Sequence, residues 1–132
     1  MNNQVIEEIK QLCGKVMTLD NGWYHFMYRR VNYLYIPDNT HTIIRISIPH
    51  VINSSEYTKG IVSKAINETN REVKFIKAVI LKNGSISLNY DYKICNDDKI
   101  TAIIPHMIMT LHFASEYIKI KLSRVTSDLI PT

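Results

Sequence analysis

The sequence is poor in the residues that build specialised sites and cross-linked scaffolds. It contains only two cysteines, four glycines and four prolines among 132 residues. Cys13 and Cys95 are far apart and in no C-x-x-C pattern, which argues against a disulfide framework or a zinc ribbon. Four glycines are too few for a phosphate-binding loop of the usual kind. Free thiols in a reducing compartment are therefore expected.

Long apolar runs and a leader pattern are also missing. No stretch of about 18 apolar residues occurs, so the sequence predicts no membrane association. The first residues lack the basic and apolar regions of a signal peptide, which predicts a cytoplasmic location. Charges of either sign are interspersed, and a net charge of +4 attracts acidic partners weakly without requiring nucleic acid.

Motifs for catalysis are likewise lacking. Five histidines occur, none at the spacing of a helical metal pair, and no nucleotide-binding or hydrolase motif is present. The sequence predicts a protein that is not an enzyme, with no catalytic residues, no metal site and no cofactor. A small enzyme with an unrecognised site stays open as an alternative.

What is present is a clear alternation of helical and strand periodicity. Hydrophobic residues make up 45% of the chain, enough for one folded domain. We expect a single α+β domain at 1–126 and a flexible tail at 127–132. The order α-β-β-β-α-β-β-α predicts a twisted, antiparallel, five-stranded sheet with helices packed on one face. The expected helices are 3–17, 53–71 and 97–122, and the expected strands are 23–28, 31–36, 41–48, 73–81 and 85–95.

Turns and breaks divide these elements. Arg29-Arg30 has to reverse the chain without the usual Asn-Gly pair, whereas Asn83-Gly84 is typical of a type I′ hairpin turn. Asn53 is expected to cap the second helix. Pro105 is expected to kink the last helix or to break its first turn.

The face of the sheet opposite the predicted core is less polar than is usual for an exposed face. If Leu34, Ile36, Ile44 and Ile46 point into the core, the alternating positions point outward. The predicted partner-binding face then comprises Tyr33, Tyr35, Ile43, Arg45, Phe75 and Lys77. Three interpretations stay open: cover by the first helix or a dimer mate, an external ligand, or scattered surface residues.

Several segments resemble the YbjN family. These are Gly22-Trp23-Tyr24-His25-Phe26 through Tyr33-Leu34-Tyr35-Ile36, Ala65-Ile66-Asn67-Glu68-Thr69-Asn70 with Lys74-Phe75-Ile76-Lys77, and Ile103-Ile104-Pro105. The resemblance covers roughly residues 20 to 123. It implies a bacterial protein with the fold of class I type III secretion chaperones, which are dimers that bind unfolded segments of client proteins. It implies no enzymatic activity and no catalytic residues, and some members are linked to stress and motility regulation.

The leading hypothesis is a non-catalytic protein-binding module, chaperone-like or regulatory, that forms a homodimer. It would bind a protein or peptide through a strand edge or the aromatic sheet face. The alternative is a nucleic-acid-binding sheet that uses exposed tyrosines and basic residues, although no basic stripe is visible.

Overall fold

A computed structural model describes the backbone of residues 1–129 and the side chains of residues 1–123. It is an α+β protein with three helices, one 3-10 turn at Ser54–Glu56 and a single six-stranded sheet. The elements in chain order are α1 (Asn2–Cys13), β1 (Val16–Thr18), β2 (Tyr24–Tyr28), β3 (Val31–Pro37), β4 (Ile43–Ile48), α2 (Lys59–Glu72), β5 (Ile76–Ile80), β6 (Ile86–Lys93) and α3 (Ile100–Leu129). All neighbouring strands are antiparallel, in the order β1-β2-β3-β4-β6-β5. The antiparallel α+β class is confirmed.

The expectation of five strands is wrong, because a sixth strand follows the first helix. α1 ends at Cys13 rather than at Met17, since Gly14 adopts φ 90° and donates its N–H to the Lys10 carbonyl at 2.8 Å. The chain then reverses at residues 20–22, and β1 pairs with β2. A strand of three residues is too short to show a period of two in the sequence.

The hairpin turns are distributed differently from the expectation. Arg29 and Arg30 form a two-residue loop with φ of 49° and 67°, and Tyr28 pairs directly with Val31. Two left-handed residues are the signature of a type I′ turn. The other hairpin has a three-residue loop, in which only Gly84 is left-handed, so the type I′ turn expected at Asn83-Gly84 is wrong. A side chain at position 84 would also bring its Cβ to 3.0 Å from Asn53 Oδ1.

The second and third helices begin later than expected. Asn53 caps the 3-10 turn by accepting the Ser55 N–H at 2.9 Å, and Thr58 caps α2. α3 begins at Ile100 and is not broken at Pro105. It continues to Leu129, so 127–129 of the expected tail are its last turn, and residues 130–132 lie outside the described residues.

All three helices pack on one face of the sheet. Ring contacts join Tyr28 to His112 and Tyr90 to His106 of α3. The Tyr35 hydroxyl donates to Asn2 Oδ1 of α1 at 2.6 Å, and α2 is joined to α3 by Lys121 and Glu68 at 3.3 Å. Ile44, Ile46 and Ile48 of β4 and Ile86, Leu88 and Tyr90 of β6 are buried beneath the helices, as the alternation predicted.

The orientation predicted for β3 is wrong. Tyr33 and Tyr35 are fully buried on the helix side, and Leu34 and Ile36 lie on the opposite side. The register explains this, because Tyr35 is paired with the buried Ile46. Each tyrosine ring is also stacked on an aromatic ring of β2, with centroids 5.3 Å apart for Phe26–Tyr33 and 5.8 Å for Tyr24–Tyr35. Stacked aromatic rings bury more apolar area than the aliphatic alternative.

Candidate functional site

The side of the sheet that faces away from the helices carries a broad, partly apolar surface, called the open face here. Strand alternation places Leu34 and the residues paired beside it on this face. Met17 and Met27 are 48% and 49% exposed. Its apolar members are Met17, Met27, Leu34, Ile36, Ile43 and Val79. A sheet covered on one side normally shows a polar outer face, so this composition suggests a contact surface.

The centre of the open face is polar and ordered by cross-strand pairs. Arg45 donates from Nε to Asp91 Oδ1 at 2.6 Å and from Nη2 to Asp91 Oδ2 at 2.8 Å. These hydrogen bonds raise the pKa of the Arg45 guanidinium. Beside this pair, the buried Ser47 hydroxyl donates to Asn89 Oδ1 at 2.5 Å. A bidentate ion pair of this kind fixes the direction of both side chains.

Four of the six predicted partner-binding residues lie together around this centre. Ile43 and Arg45 are on β4, Lys77 is on β5, and Phe75 immediately precedes β5. The other two, Tyr33 and Tyr35, are separated from them by the sheet and lie in the core. Sequence reasoning also missed Ile36, Val79, Asn89 and Asp91. The pairing of Asp91 with Arg45 joins residues 46 positions apart in the chain, which local alternation does not indicate.

Phe75 is the most prominent residue of this group. Its side chain is 70% exposed, and its backbone has φ 71°, a conformation that is rare for a bulky residue. The ring is stacked on Tyr90, with centroids 5.8 Å apart and planes 15° from parallel. Strained, exposed residues are concentrated at binding sites, so Phe75 marks this end of the open face as a candidate site.

The two buried tyrosines behave as core residues. Burial raises the pKa of Tyr35 to about 12 and also raises the pKa of Tyr33. The Tyr33 hydroxyl has no hydrogen-bond partner among the described residues. Neither ring is available to an external ligand in this arrangement.

The outer edge of β5 is closed at its midpoint by a side chain. Asn70 of α2 donates from Nδ2 to the Ala78 carbonyl at 3.1 Å, and its Oδ1 accepts the Ala78 N–H at 2.6 Å. The carboxamide thus makes the two hydrogen bonds that the peptide group of an added strand would make. Edge strands are commonly protected against pairing with another chain. The closure favours binding on the open face over strand addition at β5.

A second exposed apolar area lies on α3, on the helix side of the molecule. Met109 is 53% exposed and Phe113 is 60% exposed. Together with Tyr28, Arg29, His112 and Glu116 they line a cavity of about 330 Å³. The Arg29 guanidinium lies 5.3 Å from the centre of the Tyr28 ring. Its two large apolar side chains are as exposed as the methionines of the open face.

The described residues hold no group of three or more histidine, cysteine or acidic side chains placed to bind a metal ion. Cys13 and Cys95 are free thiols, and Cys95 is exposed. Burial raises the pKa of Cys13 to about 11. Among the described helices, none combines the length and apolar character needed to cross a membrane.

Comparison with models of protein families gave no match, and no curated protein sequence matched the chain. The resemblance to the YbjN family therefore stays a prediction. What the chain binds has to be argued from its own surface.

Proposed function

We propose that this protein is a non-catalytic protein-binding module, chaperone-like or regulatory, whose binding surface is the open face of the sheet. The observation that carries the proposal is the asymmetry of the sheet. Three helices cover one face, while the other exposes Met17 and Met27. Exposed apolar clusters of this kind are typical of protein interfaces.

The residue types on the open face suit a protein partner. Methionine side chains adapt to irregular surfaces, and Met17 of β1 and Met27 of β2 line one pocket at one end of the open face. Aromatic residues and arginine are enriched at interfaces; Arg45 lies at the centre of the open face, and the exposed Phe75 lines the same groove. The partner would be a protein or peptide, and a second copy of the chain is included among the candidates.

The nucleic-acid alternative loses the residues on which it depended. Tyr33 and Tyr35 are buried, so they cannot stack on bases. The charge of Arg45 is already engaged by Asp91. A sheet that binds single strands needs stacking rings along its surface, and neither tyrosine is available, so the apolar open face supports protein binding better.

Site-specific photo-crosslinking tests the proposal. Benzoylphenylalanine is introduced at Phe75 and at Met27 on the open face and, as a matched control, at Phe113 on α3. We expect both open-face positions to crosslink to the same protein in cells of the source organism, while the position at Phe113 does not. An adduct of twice the chain mass would identify the partner as a second copy. Adducts confined to the position at Phe113 would contradict the proposal and would locate the binding surface on α3.

A further inference from the structure

The open face contains one groove whose chemistry indicates what it binds. The groove has a volume of about 340 Å³ and crosses β6 between the walls formed by β3–β4 and β5. Ile36 and Phe75 contribute apolar walls on opposite sides, and Asn89 and Asp91 of β6 form the floor. A space of this size holds one or two side chains of a partner.

The acceptor groups of this groove are already used within the protein. Both carboxylate oxygens of Asp91 accept hydrogen bonds from Arg45, and Asn89 Oδ1 accepts the hydroxyl of Ser47. The donors are not used up. Nη1 of Arg45 and Nδ2 of Asn89 retain hydrogens with no acceptor in the described part of the chain, and no described carboxylate lies within ion-pair distance of Lys77.

We propose that this groove binds a carboxylate of a partner protein, an Asp or Glu side chain next to an apolar residue, and this inference rests on the proposed function. Three donors of different strands converge on the groove, and two of them carry a positive charge against the single negative charge of Asp91. A carboxylate accepts several hydrogen bonds at once, which matches this set of donors.

Phe75 supplies the apolar half of the same site. Phe75 lines the groove and is 70% exposed, and its ring is stacked on Tyr90, whose side chain lies on the helix side. The left-handed backbone at φ 71° and the stacking on Tyr90 hold the ring in place before any partner binds. A side chain held in advance loses little freedom on binding, which strengthens the contact with an apolar residue beside the acid.

A protein carboxylate suits this site better than a nucleic-acid phosphate. The β1–β3 end of the open face carries Met17, Met27 and Leu34, and Lys15 is the one cation among the described residues that line the pocket beside the two methionines. A phosphate backbone that enters the groove would meet mainly apolar side chains and this single lysine there. A peptide segment with an acidic and an apolar residue would contact the donors of the groove with its carboxylate and the methionines at the β1–β3 end with its apolar side chain.

Nuclear magnetic resonance titration with three matched peptides tests the inference. The probes are acetyl-Ala-Phe-Glu-Leu-Ala-amide and the same peptide with Gln or Lys in place of Glu. We expect the Glu peptide to shift the amide signals of Lys77, Asn89 and Asp91 and to bind about fivefold more tightly than the Gln peptide. The Lys peptide should bind more weakly still.

Substitution separates the groove from the net charge of the protein. Lys77→Ala should weaken the Glu peptide about fivefold, and Lys64→Ala, at an exposed position of α2, should leave the affinity unchanged. Equal binding of all three peptides on the open face would overturn the carboxylate preference and leave the proposed function intact. Equal losses in the two lysine variants, shifts confined to other surfaces, no binding at all, or tighter binding of a ten-nucleotide thymidine strand in the groove would each overturn the inference. The proposed function is judged separately, by the crosslinks at Phe75 and Met27.

Discussion

The two faces of the sheet are built from the same strands but differ in burial and in residue type. On the helix side, rings and branched aliphatic side chains are fully buried, and the Tyr35 hydroxyl is satisfied by Asn2. On the open face, methionines and half-buried aliphatic residues surround a fixed Arg45–Asp91 pair. The helix side therefore stabilises the fold, while the open face exposes apolar side chains that we propose contact a partner. Substitutions at adjacent positions of a single strand should therefore differ in effect. Those on the helix side should lower the free energy of unfolding, and those on the open face should leave it nearly unchanged.

The largest contrast is expected within β3. The double variant Tyr33→Ser, Tyr35→Ser removes two buried, stacked rings, and loss of a buried aromatic ring costs about 3–5 kcal/mol. The total approaches the stability of a typical domain, so we expect a largely unfolded protein in thermal or urea melts. The matched variant Leu34→Ser, Ile36→Ser should remain folded. Equal melting of the two variants would contradict the assignment of faces.

The alternation of β3 could have been resolved from the sequence by a polar residue. Asn32 shares the parity of Leu34 and Ile36, whereas Tyr33 and Tyr35 share the parity of Val31. Aliphatic side chains are the usual core residues, but ring stacking with β2 decides the orientation of β3. That stacking depends on the register between strands, which local periodicity does not encode.

Single core positions give a smaller but still large effect. Ile46→Ala and Leu88→Ala each remove a fully buried side chain and should lower the free energy of unfolding by about 2–5 kcal/mol. Leu34→Ala, on the open face, should cost about 1 kcal/mol or less because its side chain is already partly hydrated. Urea denaturation measures all three. A value for Leu34→Ala equal to that for Ile46→Ala would mean that the open face is covered.

These core positions could be predicted from the sequence, whereas the proposed binding groove could not. Ile46 and Leu88 follow from clean alternation in β4 and β6. The groove brings Arg45 to Asp91 and Ser47 to Asn89, pairs that are 46 and 42 residues apart in the chain. Such pairs arise from the insertion of β6 between β4 and β5, a strand order that composition and period leave open.

A change at the edge of β5 should have an effect of intermediate size on the free energy of unfolding. Asn70→Ala removes both hydrogen bonds to Ala78 and leaves that peptide group exposed at the edge, so we expect a loss of about 1–3 kcal/mol. The freed edge should also increase self-association with rising concentration, as light scattering would detect. Asn67→Ala is the control, since Asn67 is exposed on the same helix. If Asn70→Ala behaved like Asn67→Ala in both measurements, Asn70 would have no role in closing the edge.

Alkaline pH should weaken the helix side selectively. Burial raises the pKa of Tyr35 to about 12, above the value near 10 of an unfolded tyrosine. The folded state therefore binds the phenolic proton more tightly, and its stabilising contribution is complete below pH 10 and is lost as pH rises towards 12. Tyr35→Phe should reduce this decline in urea melts. A decline of unchanged slope in Tyr35→Phe would assign the effect to other groups.

The smallest effect is expected at the Arg45–Asp91 pair. Both side chains are more than 40% exposed, so Arg45→Ala should change the free energy of unfolding by about 1 kcal/mol or less. High salt should reduce even that difference. A loss of several kcal/mol in urea melts would show that the pair supports the fold rather than a binding surface.

The accessibility of methionine methyl groups tests the central claim most directly. With methyl-labelled methionine and a soluble paramagnetic agent, Met17 and Met27 report on the open face, Met109 on α3 and Met107 on the core. The protein at low concentration should show strong relaxation at Met17, Met27 and Met109 and little at Met107, which is fully buried. Protection of Met17 and Met27 equal to that of Met107, at every concentration, would contradict an open sheet face.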